Sequence, residues 1–155
     1  VDPDPDAERH PLTVRYAVLR PPAPIAIDPE ASAFAAQIDG NSSWGRLVYE
    51  VRDAEGATWR STAANTYVDF DGVRPVETWL AAGDPNESLL GTRFDAWRMS
   101  DGPGTGDPSF PLELTAIIIE VRTHVVRGVE LVEVPDTTWR IAEIVTTRNP
   151  AESWQ

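Results

Sequence analysis

The chain has no cysteine, no lysine and only two histidines, His10 and His124. Without cysteine there is no disulfide, thiol nucleophile, cysteine-ligated zinc or iron–sulfur cluster. Two histidines leave few side chains that titrate near neutral pH, and so little capacity for acid–base work there. No apolar run approaches the roughly 20 residues of a bilayer-spanning helix, so the chain is expected to be soluble. No stretch shows the basic, apolar and small-residue succession of a secretory leader, although the chain opens on Val1, which leaves room for sequence upstream. Basic charge is also short: 13 arginines face 25 aspartates and glutamates, for a net charge of −12. Nucleic acids and anionic membranes are recognised through basic surface, so neither is expected as a partner.

At 155 residues the chain has the length of one domain. Residues 1–11 interleave Pro3, Pro5 and Pro11 with Asp2, Asp4, Asp6 and Glu8 and hold little that is apolar. Proline stiffens such a segment and like charges extend it, so it reads as a linker or tail ahead of a single domain over 12–155.

From residue 12 the hydrophobic period is two. Val14, Tyr16 and Val18 alternate with polar neighbours, as do Phe34, Ala36 and Ile38 and then Leu47, Tyr49 and Val51. Alternation of this kind predicts half-buried strands. Asp53-Ala54-Glu55-Gly56 predicts a hairpin turn, with Gly56 supplying the positive φ, and Thr58-Trp59-Arg60 the returning strand. Further strands are predicted over 66–70, 75–80, 112–122, 128–134 and 138–146, and the run Ala116-Ile117-Ile118-Ile119 predicts one covered on both sides. Asp28-Pro29-Glu30 could start a short helix through the alanines that follow, but the alternation favours the strand. About nine short strands with Gly, Pro and Asp at their turns imply an antiparallel β-sandwich or barrel. One long connection, 81–111, breaks the rhythm, and long loops in compact domains tend to carry function.

Catalytic patterns are weak. There is no Gly-x-Ser-x-Gly elbow, and His124 has no partner in its neighbourhood of the sequence. Asp69 and Asp71 would project to one face of a strand about 6.5–7 Å apart at the backbone, a separation compatible with glycosidic acid–base work. The pair reads equally well as solvated turn acids before Gly72. The Gly-rich stretch 101–107 lacks the lysine and the following helix of a phosphate loop.

Aromatic residues carry the stronger signal. Six tryptophans are more than a core of this size needs. A sugar ring packs its C–H face on an aromatic ring while polar groups at the rim bond its hydroxyls. Trp59 and Trp139 are expected to be at least partly buried, Trp79 to face outward, Trp44 to lie in a turn and Trp97 in the long loop. A glycan platform is therefore expected from a subset of Trp44, Tyr67, Trp79 and Trp97 with Arg60, Arg98 and Asp69, the alternative being that the loop tryptophans plug the ends of the sandwich. The net charge argues against acidic polysaccharides and for a neutral glycan. Because lysine is absent, any cationic contact must come from the planar fork of arginine.

Phe34 to Arg52 with the following Asp53-Ala54-Glu55-Gly56, then Tyr67 to Arg74, Pro111 to Ile117 and Trp139 to Ile144, resemble the strand-and-turn pattern of galactose-binding-like jelly-roll domains. The resemblance spans roughly residues 34–145 and departs at three places. Ser42-Ser43-Trp44-Gly45 replaces a Gly-Ser-Gly turn, Val73 replaces a corner tryptophan, and Glu143 alone stands where paired aspartates are common. It implies an all-β antiparallel sandwich and a non-catalytic carbohydrate-binding module, monomeric and attached to the catalytic domain of a larger secreted polysaccharide-degrading enzyme. It also implies a structural calcium ion, for which Asp28, Glu30 and Glu143 would be the ligands. The alternatives are a structural or protein-interaction β-sandwich without a glycan site and, third, a small hydrolase or lyase using its acids or His124.

Overall fold

The computed structural model describes residues 14–41, 45–61, 67–80, 97–100, 102, 105–122, 124–127, 130–133 and 138–148. Among them there is no helix; the regular structure is all antiparallel strand. The long strands are β1 (Val14–Leu19), β3 (Ala33–Asp39), β4 (Gly45–Arg52), β7 (Val73–Trp79), β10 (Glu113–Arg122) and β13 (Arg140–Thr147). Shorter pieces are β2 (Ile25–Ala26), β5 (Thr58–Ser61), β6 (Tyr67–Val68), β8 (Trp97–Met99), β9 (Thr105–Gly106), β11 (His124–Arg127) and β12 (Glu130–Glu133).

Two sheets result. The larger has eight strands in the order β1-β10-β4-β5-β8-β9, with β2 also paired to β10 and β6 to β4. The smaller runs β13-β3-β7, and β11 pairs with β12 as a separate hairpin. Between the two sheets lies one core. Phe34, Ala36 and Ile38 of β3 and Val76, with Leu80 just past β7, meet Leu47, Tyr49 and Val51 of β4, Trp59 of β5 and Leu114 of β10. Phe34 stacks on Tyr49 across the gap, with ring centroids 4.3 Å apart and planes 10° from parallel. Burial of these side chains is the main stabilising term, at about 1.5–3 kcal/mol each.

The strands over 34–38 and 47–51 form as the alternation predicts. Asp28-Pro29-Glu30 does not start a helix: the Ala31 amide bonds the Asp28 carbonyl at 2.9 Å and the Glu30 amide bonds the Asp28 carboxylate at 2.9 Å, closing a turn. The expected hairpin is present, with Gly56 at φ 84°. Asp53 organises it. Its Oδ1 accepts the Glu55 and Ala57 amides at 3.0 and 2.8 Å, and its Oδ2 accepts the Trp59 indole N–H at 2.8 Å.

Two expectations need correction. The connection 81–111 is not all loop, because 97–99 pairs as a strand with β5 and 105–106 pairs in turn with 97–99. The strand expected over 128–134 forms as β12, but its hairpin partner β11 falls at 124–127, where no strand was expected. The N-terminal segment 1–11 lies outside the described residues.

Candidate functional site

The strand β4 is buried on both phases, which a half-exposed strand would not be. Leu47, Tyr49 and Val51 face the core, while Val48 and Glu50 on the opposite phase are only 3% and 4% exposed. Glu50 is thus a carboxylate set into the outward face of the larger sheet. Its Oε2 accepts the Nε and Nη2 hydrogens of Arg60 at 2.9 and 2.8 Å. Its Oε1 accepts from Arg20 Nη1 at 3.0 Å and from the Thr115 hydroxyl at 3.2 Å. Thr115 reaches it because the β4–β10 register slips between Leu114 and Ala116, leaving Thr115 as the extra residue of a bulge. Burial alone would raise the Glu50 carboxyl, but the hydrogen bonds from Arg60, Arg20 and Thr115 outweigh it and hold the group below its ordinary value.

The rest of that face follows from register. Arg98 of β8 stands directly opposite Arg60, and Thr105 of β9 opposite Arg98. Arg52 pairs with Glu113, its Nε 3.1 Å from Oε2. Arg46 holds Glu120 with two bonds, Nε to Oε2 at 2.9 Å and Nη2 to Oε1 at 2.8 Å. Between the Arg46 and Glu50 rows lies an apolar strip, Val48 opposite Ile118 and Ile118 opposite Val18. Tyr16, opposite Glu120, is exposed beside it. Successive rows are two residues apart along a strand, about 6.7 Å. From the Arg46 row to the Arg52 row, and with Arg20 just past β1, the described outward positions of this face carry five arginines against three glutamates.

The structure brings together only part of the expected platform. Arg60 and Arg98 are neighbours. Trp79 does face outward, at 42% exposure, but on the outer phase of the smaller sheet. Trp97 was expected on a loop and is instead a core residue at 0% exposure, its indole N–H bonding the Trp79 carbonyl at 2.9 Å. Sugar cannot reach it. Asp69 is exposed in the turn after β6, and Asp69 and Asp71 flank Phe70 in that turn and not on a strand. Since Val68 pairs with Gly45 while Arg60 pairs with Glu50, five residues of β4, about 16 Å, separate that turn from the arginines. The backbone of Tyr67 lies opposite Arg46. Trp44 lies outside the described residues.

The three carboxylates considered for calcium do not converge. Asp28 and Glu30 both bind the Arg148 guanidinium, at 3.0 Å for Asp28. The Glu30 amide and Arg148 hold the Asp28 carboxyl below its ordinary value. Glu143 sits opposite Gln37, five residues of β13 and beyond from Arg148, or about 16 Å. Among the described residues no three His, Asp or Glu side chains gather around a common point. His124 lies in β11 opposite Glu133.

Sequence reasoning missed Glu50. Its signal was available in the outward phase of β4, where Arg46, Glu50 and Arg52 alternate with the core residues, but burial of that phase is visible only once the sheet is assembled. Compared with known proteins, the chain matches no protein-family model, no curated protein and no solved structure.

Proposed function

We propose that the chain is a non-catalytic carbohydrate-binding module of the galactose-binding-like jelly-roll type, working beside a polysaccharide-degrading domain of a larger secreted protein. The observation that carries the reading is the outward face of the larger sheet: guanidinium and carboxylate groups held in rows by one another, next to an apolar strip with Tyr16 exposed at its side. Planar polar groups fixed in this way can bond vicinal hydroxyls with little ordering cost, since their rotamers are already held. Tyr16 and Val18, each 44% exposed, offer area for the C–H face of a sugar ring. A module of this kind needs no nucleophile, because it acts by keeping a catalytic partner near its polymer. The described carboxylates of this face are committed to ion pairs, which suits binding better than catalysis.

Calorimetric titration with a panel of oligosaccharides tests this, using the wild-type chain, Tyr16→Ala and Trp79→Ala. Tyr16→Ala is expected to weaken binding while Trp79→Ala leaves it unchanged. Absence of heat across the panel, or sensitivity to Trp79 alone, would refute the assignment.

A second reading has its own observation. Tyr16, Val18, Leu19 and Ile25 are exposed at 44%, 44%, 51% and 54% along the β1–β2 edge. An apolar edge suits contact with a neighbouring protein domain. That reading predicts that Leu19→Asp and Ile25→Asp abolish association with such a domain without affecting glycan titrations.

A further inference from the structure

The row across the larger sheet holds more positive charge than its one carboxylate can offset. Arg20 and Arg60 share Glu50. Arg98, directly opposite Arg60, has no carboxylate partner among the described residues and is exposed. Like charges placed opposite each other on an antiparallel pair destabilise it. A chain with 25 acidic residues nevertheless places Thr105 on the other side of Arg98. We propose that this row binds a polyanionic glycan, one that carries a carboxylate on successive sugar units, with Arg98 and Arg60 gripping one carboxylate and Arg20 meeting another. The inference rests on the carbohydrate reading above and names its substrate class.

The donors are available. A guanidinium has five N–H groups. Arg60 directs two of them at Glu50 and keeps half its side chain exposed, and Arg20 directs one at Glu50 with 57% of its side chain exposed. Charge-assisted bonds from such forks to a carboxylate are roughly twice as strong as those to a neutral hydroxyl. From Arg20, beyond the end of β1, to Arg98 on β8 the row crosses four strand spacings, about 19 Å. That length suits an extended chain laid across the strands. Glu50 holds Arg20 and Arg60 in place before any ligand arrives, so little ordering remains to be done on binding.

The net charge of −12 suggests a neutral ligand, but a bound anion responds to the local field. Exposed charges further away than about 8–10 Å are largely screened at physiological salt. Within that range the row itself presents three guanidiniums and one carboxylate.

The test is calorimetric titration of the full chain with an oligogalacturonate and with a neutral galactan oligomer of equal length, at low and high salt, for wild type, Arg98→Gln and Arg60→Gln. Polyglutamate of matched charge serves as a non-glycan anion. Expected are binding of the oligogalacturonate at least about tenfold tighter than the galactan, weakening in high salt, and a loss of about tenfold in Arg98→Gln with an unchanged melting temperature. Because the Arg98 side chain bonds no described residue, and the melting temperature is read alongside, that variant separates the ligand from the fold. Equal affinity for both oligosaccharides would overturn the inference and leave the carbohydrate reading standing. No affinity for either would overturn both. Polyglutamate binding as tight as the oligogalacturonate would overturn the inference in favour of an acidic protein partner.

Discussion

Asp53 offers the sharpest test of how the sheet face is held. It is 6% exposed and accepts hydrogen bonds from the Glu55 and Ala57 amides and from the Trp59 indole. Desolvation would raise its carboxyl, but the bonds from Trp59, Ala57, Glu55 and the Ser109 backbone prevail and hold it below the ordinary value. Replacing it with alanine strands those donors. The Glu55 and Ala57 amides lie at a surface turn where water takes over part of the loss, so each contributes about 0.5–1 kcal/mol. The Trp59 indole lies in the core at 9% exposure, and leaving its N–H unpaired costs about 1–3 kcal/mol. Asp53→Ala should therefore lose about 2–5 kcal/mol, which in a domain of this size lowers the melting temperature by roughly 6–15 °C. Urea unfolding followed by far-ultraviolet circular dichroism measures it without depending on the altered tryptophan. Asp53→Asn keeps one acceptor oxygen and should lose less than half as much. In a Trp59→Phe background, Asp53→Ala should cost at least about 1 kcal/mol less than in wild type, because the stranded indole is already gone. A loss below about 0.5 kcal/mol in Asp53→Ala would refute the reasoning, since it falls within the range of an ordinary surface change.

Other consequences follow from the same packing. The Tyr49 hydroxyl is buried and has no hydrogen-bond partner among the described residues, so Tyr49→Phe should leave stability unchanged or raise it by about 1 kcal/mol in urea unfolding. Gly45 lies against the Trp139 ring and the Glu120 carbonyl where a Cβ would have to stand, so Gly45→Ala should destabilise by about 1–3 kcal/mol, with Gly56→Ala as a comparison that probes positive φ alone. Asp53, Glu50 and Asp28 all have carboxyls held below their ordinary values in the folded state. A depressed folded value adds stability that is complete above the unfolded value, about pH 4, and drains away as pH falls below it. Melting temperatures should thus be flat from about pH 6 to 5 and fall steeply below about pH 4, with Glu50→Gln showing a shallower fall.

Much of the fold was legible because its signals are local. Leu47, Tyr49 and Val51 alternate on β4, Asp53 and Gly56 fix the hairpin, and these residues sit next to one another in the chain. The strand β8 was not legible, since three residues cannot establish a period, and Trp97 read as a loop residue because it falls within the long connection 81–111, which is rich in glycine and proline. Its burial depends on pairing with β5, 36 residues earlier in register terms from Ser61 to Trp97. The site divides in the same way. Arg60 and Arg98 were singled out because arginine alone supplies fixed positive charge here, whereas Glu50 needed Arg20, Arg60 and Thr115 to be folded onto it from 30, 10 and 65 residues away. The expectation of a neutral ligand came from summing charge over the whole chain, and the sum hides how arginine is distributed over one face.

On the proposed reading, the outward face of the larger sheet binds carbohydrate. Amide chemical-shift mapping during titration with an oligosaccharide that the chain binds tests it most directly. Shifts are expected to concentrate on Tyr16, Val18, Glu50, Arg60 and Arg98. Shifts confined to Trp79 and the outer phase of β7, with that face unperturbed, would contradict it.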